Sequence, residues 1–401
     1  MHHWHAAFGF LVAAGVATLI TPVVGRLARA LKMVDRPRVG GLTERVTPLL
    51  GGVGILIAIV AATALFMPHF ITLPRSARTL DVHTTVNTWG LIVGAVLITL
   101  VGAIDDRLDL RWWLKLFGQV AAAVIAVKAG AIVTDVTIPF LGAHQFPHAG
   151  PVLTVFWLVA MMNVVNFTDG IDGLAAGLSA IDGIAFTIIA FNLGVTGAAI
   201  LAAITAGAAL GFLVHNFHPA SIFMGDAGSN LLGYMLGVTA VVGSLKTNAV
   251  VALIVPLVIL AIPLLDTSFV VAKRLKYKRA PWSRDANHFH HRFARIGFSQ
   301  RKTVAYLYAW STVLAGLAVA MRLLPYHPHN THYNWLWVGV LIGIGMVALA
   351  ASVYLVVVLE IVKLGRLRLV DLRRADPAAP EEEIQARAAR DVETGEFTRV
   401  R

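Results

Sequence analysis

No cysteine occurs anywhere in the 401-residue chain. That absence excludes disulfides, thiolate nucleophiles and Cys-ligated metal sites. Charge is scarce too: Asp, Glu, Lys and Arg make up 14% of residues against 57% hydrophobic ones, and the mean hydropathy is +0.74. Soluble domains carry about 25% charged residues, so this composition excludes an ordinary water-soluble enzyme and implies an integral membrane protein. Acids are the scarcer sign, and the formal net charge is +11. Nucleic acid is not the partner implied, because Lys and Arg sit in short loops beside apolar runs. The lipid bilayer is. No internal repeat of fixed period occurs, which weakens a reading as an ion-coupled secondary transporter. The first apolar run, Phe8–Leu31, is too long for the core of a cleaved leader, so it is expected to remain as a span.

Apolar runs long enough to cross a membrane are what the chain has in abundance. A span needs about 20 residues. Such runs fall at 8–31, 49–68, 88–104, 112–131, 151–165, 173–193, 196–214, 229–245, 249–272, 302–323 and 335–363. The expected fold is an all-α polytopic membrane protein of about eleven transmembrane helices, with 151–193 the hardest run to divide.

Arg36, Arg38 and Arg45 follow the first run, Arg107 and Arg111 the third, and Lys273, Arg274, Lys276, Lys278 and Arg279 the ninth, whereas the alternate loops are poor in both residues. The positive-inside rule then puts the N-terminus outside and the C-terminus in the cytoplasm. Residues 1–365 are expected to form the membrane domain and 366–401 a charged cytoplasmic tail. Within that tail Pro380 and the glutamates after it predict a short helix, with Glu383 four residues before Arg387. On the outer side VTDVTIPFLGAHQFPHAG predicts a short β-hairpin.

The polar chemistry concentrates in the loops that this topology places on the cytoplasmic side. Asp105 and Asp106, with Asp109 beyond them, repel one another unless a cation or base is near. Neighbouring carboxylates point about 100° apart on a helix, so different roles are expected for the two. Pairing with Arg107, Arg111 or Lys115 is the structural alternative. Asn163, Asn166, Asp169 and Asp172 recur every third residue, which on one helix keeps them on a slowly drifting face.

Asp226 stands in FMGDAGS just before a span. One carboxylate beside free helix N–H groups suits Mg²⁺ held between protein and phosphates, and a capped helix start is the alternative. His288, His290 and His291 precede Arg292 in HFHHRF. They suit pyrophosphate recognition better than tetrahedral zinc, and a basic loop resting on anionic lipid is the bland reading. Arg45 either borders a phosphate pocket or satisfies the charge bias. Asp182, near the middle of a span, suits hydrogen bonding between helices as well as a functional role, and is left out of the site.

DDRLDL, NVVNFTDGIDGLAAG, NFHPASIFMGDAGSNLLGY and the His-Phe-His-His-Arg block occur in that order. Together they resemble the polyprenyl-phosphate N-acetylhexosamine-1-phosphate transferases, from about Arg45 to the tenth run. The H-x-H-H spacing is similar to the branch that uses GlcNAc-1-phosphate. The sister branch, the phospho-MurNAc-pentapeptide transferases of peptidoglycan synthesis, carries three consecutive His. Thr43 stands where the family often has His.

The resemblance implies transfer of GlcNAc-1-phosphate from UDP-GlcNAc to undecaprenyl phosphate at the cytoplasmic face of a bacterial plasma membrane, the first membrane step of an envelope polysaccharide. It implies Mg²⁺, with Mn²⁺ as a substitute. Asp226 resembles the metal ligand, Asp105 the group that orients or accepts the proton of the lipid phosphate, and Asp106 a support for lipid phosphate or metal. Asn166, Asp169, Asp172, Asn216 and Phe223 resemble the nucleotide pocket, with Phe223 offering a face to uracil, and Asn163 is counted among the substrate-binding residues. His290 and His291, with His288 and Arg292 beside them, would contact the diphosphate or sugar. A homodimer and a covalent aspartyl step are both left open by the sequence.

Overall fold

The computed structural model describes residues 3–35, 46–72, 85–133, 135–138, 142–145, 149–244, 299–324, 335–353, 369–370, 372–373 and 380–394. The helices are α1 His3–Ala30, α2 Gly51–Phe66, α3 Thr88–Leu108, α4 Trp112–Lys128, α5 Gly150–Thr168, α6 Leu174–Asn192, α7 Thr196–Asn216, α8 Gly225–Ser244, α9 Gln300–Leu323, α10 Trp335–Val353 and α11 Glu381–Thr394. Each apolar run named above holds one of α1–α10, except 249–272, which lies outside the described residues. Six of the described helices (α1, α3, α5, α6, α7 and α9) are long and apolar enough to cross a membrane.

Sheet is confined to three antiparallel pairs. β1 Val34–Asp35 pairs with β2 Thr47–Pro48, β3 Phe70–Thr72 with β4 Thr85–Asn87, and β5 Asp135–Ile138 with β6 Gly142–Gln145. The last pair, in register Asp135 to Gln145, is the hairpin expected from β-branched residues around a Pro/Gly-containing turn. The first two had no sequence signal, being only two or three residues long.

The chain divides into two compact units, residues 1–264 with 311–325, and residues 265–310 with 326–401. In the first, α7 is central: it packs on α1, α6, α2 and α8, while α3, α4, α5 and α8 form the adjoining group. Residues along α7 are apolar all round, and the helix is accordingly buried along most of its length. α1 instead turns Leu11 and Leu19 outward. The α1–α7 seam is made of small residues. A Cβ on Gly207 or Gly211 would collide with the carbonyl oxygens of Phe10 and Ala14, and Thr18 Oγ1 bonds both Ala14 O at 2.8 Å and Gly211 O at 3.2 Å. Without water, close backbone approach and hydroxyls satisfied on carbonyls replace the hydrophobic drive of a soluble core.

In the second unit, α11 begins just after Pro380, whose carbonyl accepts the N–H groups of Glu383 and Ile384 at 3.0 and 3.1 Å. This is the helix foreseen in the tail. Its Ile384 and Ala388 are buried with Leu372.

Two expectations change. The acids foreseen in loops stand on helix ends, because α3 runs on through Asp105 and Asp106 and α8 already includes Asp226. A run counted by hydropathy stops at the first charge, whereas the hydrogen-bond ladder of α3 continues until Asp109 turns left-handed at φ 50°. The four polar residues of 163–172 do not share one helix either. α5 ends at Thr168, Asp169 is its C-cap and Gly173 opens α6 at φ 82°, so Asp172 lies in the turn between them.

Candidate active site

Four helix ends meet at the site: the C-termini of α3 and α5 and the N-termini of α4 and α8. Lys115, in the first turn of α4, holds two carboxylates at once. Its Nζ pairs with Asp105 Oδ2 and lies 2.8 Å from Asp226 Oδ2. The remaining oxygen of each carboxylate is fixed by a neutral donor. Leu110 N–H donates to Asp105 Oδ1 at 2.8 Å, and Asn166 Nδ2 donates to Asp226 Oδ1 at 3.0 Å. Asn166 also reaches Ser229 Oγ at 2.9 Å, which ties α5 to α8.

Asp106 points elsewhere, as neighbours on a helix must. Its oxygens accept the N–H groups of Asp226 at 2.7 Å and Ala227 at 3.2 Å, so it caps α8 from another helix. A carboxylate there also offsets the positive end of the α8 dipole. The arrangement requires Gly225, whose φ is +69° and where a Cβ would collide with the Asp106 carboxylate. The first-turn amides expected to face substrate phosphates are therefore engaged by Asp106. A capped helix start, the alternative reading of FMGDAGS, is what forms, with Asp106 accepting from Asp226 N–H and Ala227 N–H.

Beneath the carboxylates lies a chain of amides. Asn163 Nδ2 donates to Gln119 Oε1 at 2.8 Å, Gln119 Nε2 to Asn230 Oδ1 at 2.9 Å, and Asn230 Nδ2 to Asp226 O at 2.8 Å. This chain joins α5, α4 and α8, and each link satisfies a polar group that the apolar surroundings would penalise. Gln119 and Asn230 were missed in the sequence. The available signal was the four-residue spacing that puts Gln119 on the Lys115 face of α4, and Asn230 one turn after Asp226 on α8.

Asp172 and Asn216 form a second cluster. Asp172 Oδ2 is 2.8 Å from His218 Nδ1 and accepts Ala220 N–H at 3.0 Å. Asn216, expected in a nucleotide pocket, is buried and accepts Gly173 N–H at 3.0 Å while donating to Ile222 O at 3.0 Å. It stitches the α5–α6 turn to the segment before α8. Phe223 is half-buried, and its backbone is bonded to Pro48 O and Gly51 N. Arg45, His288, His290, His291 and Arg292 lie outside the described residues. Asp182, kept out of the site, accepts a hydrogen bond from Ser311 Oγ at 3.3 Å between helices, the structural one of its two readings.

Asp169 marks the electrostatic character of the place. Burial pushes its carboxyl up to about 8, and the negative charges of Asp226, Asp106 and Asp172 push the same way. Among the described residues no three His, Asp or Glu side chains are grouped to hold a metal ion by themselves. The donor set nevertheless fits Mg²⁺. That ion takes hard oxygen ligands and commonly uses one or two carboxylates plus substrate phosphates, and here two carboxylate oxygens converge on one cationic point, the Lys115 ammonium.

Comparison with known proteins agrees with these motifs. The family model described as "Glycosyl transferase family 4" matches residues 88–244, which hold every described side chain of the site. A "Probable undecaprenyl-phosphate N-acetylglucosaminyl 1-phosphate transferase" of Bacillus subtilis is 31% identical over 319 residues, covering 78% of this chain and 84% of that protein. A "Decaprenyl-phosphate N-acetylglucosaminephosphotransferase" of Mycolicibacterium smegmatis is 35% identical over 329 residues, 76% of this chain and 79% of its own. A "Phospho-N-acetylmuramoyl-pentapeptide-transferase" of Moorella thermoacetica is 33% identical over 326 residues, 76% of this chain and 95% of its own. With four helix ends assembling the acids of the matched region and relatives this similar over most of their length, the chain belongs to glycosyl transferase family 4, the polyprenyl-phosphate N-acetylhexosamine-1-phosphate transferases.

Proposed function

We propose that the protein transfers GlcNAc-1-phosphate from UDP-GlcNAc to undecaprenyl phosphate, releasing UMP and leaving undecaprenyl-diphospho-GlcNAc in the bilayer. The observation that carries this is the joint hold of Lys115 on Asp105 and Asp226 at the end of a membrane helix bundle. A lipid phosphate and a water-soluble nucleotide sugar can meet only at such an edge. The relatives named for N-acetylglucosaminyl transfer supply the sugar, and the H-x-H-H block at 288–291 supports that branch over the pentapeptide one.

An oxygen of the lipid phosphate attacks the β-phosphorus of UDP-GlcNAc. The new P–O bond forms as the bond to the α-phosphate oxygen breaks, and UMP leaves with that electron pair. In-line phosphoryl transfer asks the protein mainly for position and charge balance. Asp105 orients the lipid phosphate and accepts its proton where it carries one. Asn166 fixes the direction of the Asp226 carboxylate, and Asp106 fixes the start of α8 from which Asp226 projects. Mg²⁺, or Mn²⁺ in its place, would be held by Asp226 and Asp105, whose Oδ2 atoms face one point, and would neutralise diphosphate charge. Asp106, expected as a second metal ligand, has both oxygens on the α8 amides and supports the site from there. Asp169, Asp172 and Phe223 line the nucleotide side, and His288, His290, His291 and Arg292 grip the diphosphate and sugar.

The same reading places the protein in a bacterial plasma membrane with about eleven spans, the N-terminus outside and the site at the cytoplasmic face. The test is UMP release by purified protein supplied with undecaprenyl phosphate, Mg²⁺ and a panel of UDP-sugars. UDP-GlcNAc is the expected donor. Turnover of UDP-MurNAc-pentapeptide instead would move the protein to the sister branch, and substrate flux into proteoliposomes without UMP would make it a transporter.

A further inference from the structure

Lys115 occupies the point at which the two acidic side chains converge. Asp105 and Asp226 each commit Oδ1 to a neutral donor and turn Oδ2 to the same ammonium. Asp105 is buried and Asp226 is mostly so, whereas the lysine side chain is 34% exposed and reaches the pair from the rim. The oxygens that a divalent ion would ligate are already aimed at one position, and the ammonium occupies it.

We propose that Lys115 is a displaceable internal cation: it holds Asp105 and Asp226 together before a divalent ion binds, and it competes with that ion for their Oδ2 atoms. This rests on the assignment of a divalent ion to Asp226. Two carboxylates so close repel each other, and an ammonium on a flexible four-carbon stem neutralises them without closing the site. An ion held there would take both Oδ2 atoms from the ammonium, which its flexible four-carbon stem allows to swing clear. Lys115 is thus a positioning residue that keeps the ligands assembled and sets how tightly the ion is held.

The experiment is Mn²⁺ binding to the full-length protein in detergent, without substrates, read from the electron paramagnetic resonance signal of free Mn²⁺. Lys115→Met removes the competing charge and keeps the length, and it is expected to tighten Mn²⁺ binding at least about tenfold. Lys115→Arg restores the charge and is expected to bring the affinity back toward wild type. Unchanged or weaker binding in Lys115→Met, with wild type binding normally, would overturn the proposal. Absence of Mn²⁺ binding in wild type and both variants would instead remove the metal assignment, and the proposal with it. Should Lys115→Met fail to fold, acylation of Lys115 in the wild-type protein, read by peptide mass spectrometry, decides the question. Labelling is expected to rise severalfold on adding Mg²⁺, and unchanged labelling would overturn the idea.

Discussion

Asp106 of α3 caps helix α8 by accepting the backbone N–H of Asp226, a residue 120 positions further along the chain, at 2.7 Å. The acid beside the lipid-phosphate candidate Asp105 is thereby the fixture that aims the metal-ligand candidate. Asp106→Asn keeps the shape but weakens this cap. It is expected to destabilise the protein by about 1–2 kcal/mol, the usual worth of a helix cap with its charge–dipole component, and to lower turnover as well. Thermal unfolding in detergent measured beside UMP release checks both, and a variant with wild-type unfolding would show that the cap carries no weight.

Gly225→Ala attacks the same joint from the other side. A Cβ at φ +69° is strained by about 1–2 kcal/mol before any contact, and here it also meets the Asp106 carboxylate. Loss of stability of at least about 2 kcal/mol is expected from strain and clash combined. Unfolding within error of wild type would mean that the chain avoids this conformation.

Asp226→Asn and Asp105→Asn should each lower UMP release by at least about 10²-fold while the protein still inserts and purifies, since the first removes the charge of a metal ligand and the second the group that accepts the proton of the lipid phosphate. Near-wild-type release from Asp226→Asn would end its assignment as metal ligand.

Removal of divalent ions with EDTA should abolish transfer, and Mg²⁺ or Mn²⁺ should restore it. Zn²⁺ should not, because it prefers N and S ligands in tetrahedral sites. Transfer that is indifferent to EDTA would count against any metal at Asp226.

A pH dependence follows from Asp169. Its folded pKa of about 8 lies above the ordinary 3.8, so the folded state holds the proton more tightly than the unfolded chain. Its contribution to stability therefore declines as pH rises from the unfolded value toward about 8 and is constant above that. In EDTA, Asp169→Asn should gain stability over wild type as pH increases through this window, with the gain levelling off near its top. Melting temperatures of both proteins measured from mildly acidic to mildly alkaline buffer would run parallel if the idea were wrong.

Much of this molecule can be read from sequence because a membrane helix is announced by its own residues. The runs at 88–104 and 196–214 became α3 and α7 with small changes of boundary. The opposed directions of Asp105 and Asp106 follow from helix geometry alone. Lys115, named among the possible partners of these acids, does pair with Asp105, but the partners further along the chain do not follow. Lys115 and Asp226 lie 111 residues apart and Asn166 and Asp226 lie 60 apart, and nothing local states that they meet. Asn216 shows a related limit: its letter alone does not say that the amide accepts Gly173 N–H and donates to Ile222 O. The break at Asp169–Gly173 shows the limit of periodicity, since a three-residue polar repeat persists in the letters after the helix has ended.

The seam between α1 and α7 bears on how the protein is made. Thr18 hydrogen-bonds to Gly211, 193 residues downstream, so during synthesis α1 enters the membrane long before its main neighbour exists. The face of α1 that meets Gly207 and Gly211, at Phe10, Ala14 and Thr18, must meet lipid or the insertion machinery until α7 arrives. A nascent chain stalled before Gly207 would display that face unpaired, a mark by which unfinished copies differ from finished ones.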